Sequence, residues 1–213
     1  MSFDQSNVNN LIGTVEGFAK DHDEFMKKVR EVNALRDMTE EYKRARVEAM
    51  ADEFREAHAG TLQAITDAEK AYQADVDAYS NGVDLDSDYM ATLSRTVGTF
   101  GAKMPTEVVQ SLVSKATRPW EARLAAAAFE NAGIKSGPGL ANARAQALTP
   151  PQAGSFAARA YIAIKNPVRD GFYSDFYAWR NNVQNTADIM QWGPGGNPNA
   201  DVGQGGDSGA DAE

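Results

Sequence analysis

Apolar side chains recur along the first part of the chain at the spacing of one helix face. From Phe25 to Tyr79 they stay within about one residue of a 3.6-residue period. The stripe consists of Phe25, Val29, Val32, Leu35, Tyr42, Met50, Phe54, Ile65, Tyr72 and Tyr79. A strict seven-residue repeat would put the charged Arg36 and Glu53 in its seam, which disfavours a two-stranded coiled coil. We therefore predict one long amphipathic helix over residues 22–80, straight or slightly curved.

Two glycines bear on where this helix bends and ends. Gly60 costs about 1 kcal/mol relative to alanine inside a helix, but the stripe keeps its phase across it. We expect a continuous helix with a bend at Gly60. The Asn81–Gly82 pair is a turn signal and ends the helix. Residues 1–21 are predicted to form a flexible N-terminal arm or a short helix.

Short, alanine-rich helices are predicted to form a compact region over residues 87–192. Capping residues and prolines mark their starts at Ser87, Pro105, Pro119, Thr149-Pro150 and Asn166-Pro167. No segment shows the period-2 alternation of a half-buried strand. The predicted fold is all-α, with one very long N-terminal helix packed with or beside a compact bundle of five to six short helices. Residues 193–213 are rich in glycine and aspartate and are expected to be a disordered, acidic C-terminal tail.

The run GFYSDFYAWRNN at residues 171–182 is the densest aromatic segment. Its apolar members follow helical spacing and predict a buried face, which consists of Phe172, Phe176, Trp179, Val183, Ala187 and Met190. A second line lies beside this face. With two nearby basic residues it forms a candidate contact edge for protein or nucleic acid, namely Tyr173, Tyr177, Arg180, Arg169 and Lys165.

The composition indicates a globular chain of 213 residues without cysteine. Its most apolar stretch, LAAAAF at 124–129, is too short to span a bilayer, so we predict no membrane association. The absence of cysteine fits a reducing compartment. The predicted location is the cytoplasm; for a viral protein, this would be the host cytoplasm or the assembled particle.

Charge is distributed unevenly along the chain, whose formal net charge is −9. Residues 1–100 carry eleven basic and twenty acidic side chains, whereas residues 101–180 carry ten basic and five acidic ones. Residues 181–213 carry five acids and no lysine or arginine. The net charge argues against binding of nucleic acid over the whole surface, but the basic middle leaves local binding open. The acidic tail would then act as a shield.

The sequence offers no pattern typical of a catalytic or metal site. Its histidines are His22 and His58, and neither has the glutamate three residues earlier that helical carboxylate metal sites use. Both are expected to be solvated helix residues. GIKSGPG at 133–139 lacks the order of a phosphate-binding loop, because lysine and serine precede the last two glycines. We expect no enzyme activity, cofactor or metal.

An apolar stripe of this length has to be covered, either by the C-terminal helices or by neighbouring molecules. We therefore predict a non-catalytic assembly protein that works through protein–protein contacts. It would be a homo-oligomer or a self-associating component of a larger particle such as a phage or virion. Two alternatives are a nucleic-acid-binding protein that uses residues 101–180, and a binding regulator or inhibitor with an acidic helical surface.

Overall fold

The computed structural model describes residues 5–135, 137–169 and 172–192, together with all side chains in these ranges except that of Tyr173. These ranges contain nine α-helices and no strand, so the all-α prediction is confirmed. The helices are α1 Ser6–Ala34, α2 Glu40–Ala57, α3 Thr61–Asn81, α4 Asp88–Phe100, α5 Thr106–Lys115, α6 Pro119–Asn131, α7 Gly137–Leu148, α8 Phe156–Lys165 and α9 Phe172–Trp192. The predicted tail, 193–213, lies outside the described residues.

The single helix predicted over residues 22–80 is wrong, because the chain turns back at residues 35–39. There the Thr39 hydroxyl accepts a hydrogen bond from the Tyr42 backbone N–H at 3.2 Å. Glu40 and Glu41 follow in the first turn of α2, where negative charge stabilises a helix N-terminus. These residues start a new helix, α2, after the chain has reversed its direction. The apolar stripe is therefore divided between α1, α2 and α3.

Helices α2 and α3 together run back along α1. The Phe25 ring lies 4.9 Å from that of Phe54, and Asn7 donates to the Asp75 carboxylate at 2.9 Å. Residues 58–60 form a kink between α2 and α3. The expected bend at Gly60 is therefore an interruption, with α2 ending at Ala57 and α3 beginning at Thr61.

Residues 6–21 form the first half of α1, where the sequence analysis expected an arm or a short helix. The buried residues of this half lie three or four positions apart, so they share one face. They are Val8, Leu11, Ile12, Val15, Phe18 and Ala19. The same spacing continues into Phe25, and the covered face therefore begins earlier in the chain than the predicted stripe.

The buried side chains form two main clusters. The larger joins α1, α2, α3, α8 and α9, and we call these helices the five-helix bundle. The smaller belongs to α4–α7, which we call the insert because it lies between α3 and α8 in the sequence. The predicted compact region, 87–192, therefore contributes to both clusters. The predicted buried face of α9 lies entirely within the bundle core.

Two glycines are required in the insert, one for its backbone conformation and one for a close approach between helices. Gly133 has a positive φ of 76°, which a residue with a side chain adopts at a cost, and it follows the end of α6. Gly137 begins α7, and a Cβ atom there would lie 2.6 Å from the Phe129 ring and 3.1 Å from Val109. Helices α6 and α7 therefore pack closely only because residue 137 has no side chain.

The capping signals predicted helix starts with mixed success. Ser87 accepts from the Met90 backbone N–H at 3.3 Å, and Pro119 is the first residue of α6, as predicted. Helix starts at Thr149-Pro150 and Asn166-Pro167 are wrong, because α8 begins at Phe156 and α9 at Phe172. The Thr149 hydroxyl instead donates to the Ala145 carbonyl at the end of α7.

Candidate interaction surfaces

The predicted assembly stripe is covered along most of its length within one chain. Its buried members are Phe25, Val29, Met50, Phe54, Ile65 and Tyr72. Val32 and Tyr79 are half-buried against the bundle core. Only the part nearest the turn at residues 35–39 remains exposed, and it contains Leu35 and Tyr42.

The exposed part of the stripe belongs to a segment that we call the tip, residues 30–49. Lys43 is buried within it, Val32 and Val47 are half-buried, and its other residues are exposed. Leu35, Met38 and Tyr42 are 44%, 43% and 50% exposed. The tip therefore extends beyond the packed part of the bundle and presents apolar side chains to solvent.

The predicted contact edge is divided between two sides of α9. Tyr177 and Arg180 lie beside α1, where the Lys20 ammonium, and to a smaller extent the Arg180 charge, lower the pKa of Glu16. Lys165 and Arg169 lie on the α8 side of the bundle. Tyr173 belongs to α9, and its side chain lies outside the described residues. The structure thus does not bring the edge together as one surface.

The outer face of α8 is basic and carries exposed apolar groups. Residues 149–169 contain Arg159, Lys165 and Arg169 and no acidic residue. The Lys165 ammonium lies 5.7 Å from the centre of the exposed Tyr161 ring. The exposed Ile162 and the two arginines line a cavity of about 240 Å³ between α8 and the start of α9. Asp175 of α9 borders this cavity and lies 3.6 Å from Arg159.

The loop between α3 and α4 has the opposite charge. Residues 82–88, which we call the loop although Asp88 is already the first residue of α4, contain three aspartates and no basic residue. Val83 precedes Asp84, and Leu85 lies between Asp84 and Asp86; they are 57% and 73% exposed. Both exceed the exposed fractions of the apolar tip side chains. This loop therefore combines exposed aliphatic groups with concentrated negative charge.

The two histidines share an aromatic cluster, which corrects the expectation that they are solvated. His22 is 2% exposed, and its Nε2–H donates to the Pro167 carbonyl at 2.9 Å. The His58 ring lies 4.3 Å from that of Phe54 and 5.1 Å from that of Phe18. Burial lowers the pKa of His58, and the charge of Asp21, whose carboxylate lies 3.8 Å away, offsets part of this effect.

The Glu69 carboxylate caps the start of α8. This role was not identified from the sequence. Its carboxylate accepts hydrogen bonds from the Ser155 hydroxyl at 2.9 Å, from the Ala157 N–H at 3.1 Å and from the Phe156 N–H. These are the backbone donors that a helix N-terminus leaves without an intrahelical partner. No local spacing reveals such a cap, because the partners are more than 80 positions apart in the chain.

Polar contacts join the insert to the bundle. The Tyr79 hydroxyl lies 3.1 Å from the Thr117 carbonyl, and Arg123 donates to the Asn81 side chain at 3.0 Å. Nearby, the buried Glu121 carboxylate accepts from the Thr117 backbone N–H at 2.6 Å. Burial, and secondly the Glu121 charge, raise the pKa of Tyr89 to about 12. The phenol of Tyr89 is thus neutral at physiological pH.

Polar atoms around the cavity between α3 and α9 form hydrogen bonds between parts of the fold. This cavity of about 280 Å³ is lined by Glu69, Ser155 and Trp179, among others. The Ser155 hydroxyl donates a hydrogen bond to the Glu69 carboxylate, and the Trp179 indole N–H donates to the Gly154 carbonyl at 3.0 Å. In the described ranges, no three histidine, cysteine, aspartate or glutamate side chains are placed to hold a metal ion.

No helix among the described residues is both long and apolar enough to cross a membrane. Comparison with known proteins gave no match to a family model, to a curated protein or to a solved structure.

Proposed function

We propose that this chain is a non-catalytic helical assembly protein that self-associates through the tip. One observation carries the proposal. The apolar stripe is buried on both sides of the turn at residues 35–39, but at the turn Leu35, Met38 and Tyr42 are each exposed. Exposed apolar groups on a protruding segment are typical of a protein contact surface.

Charge supports a second copy of the chain as the partner of the tip. The tip carries five basic and five acidic side chains, so its net charge is zero in a chain of net charge −9. Two tips therefore meet without the repulsion that the rest of the surface would produce. Because both signs are present, one tip also offers partners to the charges of the other, as a two-fold symmetric contact requires.

The test is the molecular mass in solution of a chain with Leu35→Ser, Met38→Ser and Tyr42→Ser. We expect the unaltered chain to associate at increasing concentration, measured by size-exclusion chromatography with light scattering. The triple variant should weaken that association by roughly tenfold or more, because it removes the apolar surface that the contact buries.

A matched control separates the tip from general surface hydrophobicity. Leu140 in α7 is 42% exposed, close to the value of Leu35, and lies in the insert. Leu140→Ser should leave the association unchanged. A chain that stays monomeric at high concentration, or a triple variant that associates as the unaltered chain does, would refute the proposed function.

A further inference from the structure

The loop at residues 82–88 and the outer face of α8 match each other in charge and in apolar character. The loop has three aspartates, and the face has Arg159, Lys165 and Arg169. The loop exposes Val83 and Leu85, and the face exposes Tyr161 and Ile162. Opposite charges around exposed apolar groups are the arrangement by which protein surfaces recognise each other.

The outer face of α8 extends from the middle of α3 toward α2, whereas the loop follows the end of α3. Glu69 holds the start of α8, and α8 runs from there toward the kink at residues 58–60. Just beyond its far end, the Pro167 carbonyl accepts a hydrogen bond from His22. The centre of the His22 ring lies 5.9 Å from that of Phe54, near the end of α2. The loop follows the last residue of α3, which lies twelve positions after Glu69 and so roughly 18 Å from the start of α8 along α3; the rest of α8 extends farther from the loop. The loop therefore cannot reach the face of α8 in its own chain.

We propose that the loop at residues 82–88 of one copy docks on the outer face of α8 of a second copy. The aspartates lie against Arg159, Lys165 and Arg169, and Val83 and Leu85 pack on Tyr161 and Ile162. Among the described residues, Asp175 is the only acidic one that lines the cavity beside this face, and its contact with Arg159 leaves both side chains substantially exposed. The proposal rests on the proposed self-association, but it uses residues outside the tip.

This contact joins different surfaces, so a pair of copies retains one unused loop and one unused face. A contact of this kind adds further copies until a ring closes or a filament grows. The symmetric contact of two tips, in contrast, ends with a pair. The two contacts therefore predict different assemblies, and each can be removed without the other.

Charge reversal on each side provides the test. A loop variant, Asp84→Lys with Asp86→Lys, and a face variant, Arg159→Glu with Lys165→Glu, should each weaken growth beyond pairs by roughly tenfold or more. An equimolar mixture of the two should recover assembly, because the original loop then meets the original face and the reversed loop meets the reversed face. Light scattering at low salt measures the mass, and circular dichroism checks that the variants fold.

The outcomes separate this contact from the tip and from other occupants. Assemblies beyond pairs that persist in both variants would overturn the proposal, as would variants whose mixture does not recover. If the tip variant associates as strongly as the unaltered chain, whereas the loop variant abolishes the assemblies, the proposed tip contact fails and this one stands. A single-stranded oligonucleotide bound by the unaltered chain and lost only in the face variant would assign the face to nucleic acid. Association that appears only when residues 193–213 are removed would assign it to the acidic tail. Either result would overturn the head-to-tail contact.

Discussion

Trp179 gives the most direct test of how α9 is packed. Its side chain is 4% exposed, and its ring lies 4.8 Å from that of Phe156. Its indole N–H donates to the Gly154 carbonyl at 3.0 Å, which ties α9 to the segment before α8. Trp179→Ala therefore removes both an aromatic contact and a hydrogen bond in one step.

A comparison of two substitutions separates the contributions of ring packing and of the hydrogen bond to the expected loss of unfolding free energy. Truncation of a buried tryptophan to alanine lowers the free energy of unfolding by about 3–5 kcal/mol. Trp179→Phe keeps much of the ring contact with Phe156 but leaves the Gly154 carbonyl without its donor. It should cost about 1–3 kcal/mol. The difference between the two variants measures the packing of the ring.

Urea unfolding followed by far-ultraviolet circular dichroism measures these free energies without relying on tryptophan fluorescence. The matched control is Trp192→Ala, because Trp192 lies in the same helix and is 45% exposed. The control should stay within about 0.5 kcal/mol of the unaltered chain. If Trp179→Ala were no more destabilising than Trp192→Ala, the packing of α9 described here would be refuted.

Three further predictions concern stability. Glu69→Ala removes the acceptor at the start of α8 and should cost about 1–3 kcal/mol in the same urea titration. Gly137→Ala forces a methyl group against Phe129 and should cost about 1–3 kcal/mol, whereas Gly139→Ala enters open space and should be neutral or stabilising. Because burial lowers the pKa of His58, the unfolded chain binds more protons, so stability should fall as pH drops below about 6.5. His58→Gln should reduce that fall in urea titrations across pH.

Each of these predictions has a contrary result. Glu69→Ala with unchanged stability would show that water replaces the carboxylate at no cost. Equal effects of Gly137→Ala and Gly139→Ala would contradict the close packing of α6 and α7. A pH profile that is the same with and without the His58 side chain would show that this ring does not titrate differently on folding.

The sequence predicted helices well where the signal is local. Ser87 and Pro119 act at their own helix starts, and the buried face of α9 follows from spacing alone. The turn at residues 35–39 was missed because the apolar stripe stays in phase across it. Thr39 followed by two glutamates is a helix start signal, but the periodic pattern outweighed it. Periodicity reports which side chains are buried, and it does not report which helix buries them.

Contacts between distant parts of the chain could not be predicted from one sequence. Glu69 and the start of α8 are joined only by the packing of α3 against α8. His22 looks like a polar interruption in α1, yet Pro167 supplies its partner from 145 positions away. The exposed tip likewise became a candidate surface only after the rest of the stripe was found covered. Such features depend on tertiary structure.

The order of the helices also constrains how the chain folds during synthesis. The face of α1 needs α9, whose last residue is more than 150 positions later. At about 5–20 residues per second, those positions take on the order of ten to thirty seconds to translate. The insert is made in between, and its own core is complete well before α9 exists. Nascent α1–α3 would therefore hold part of its apolar face open on the ribosome, where a chaperone could occupy the place that α8 and α9 later take.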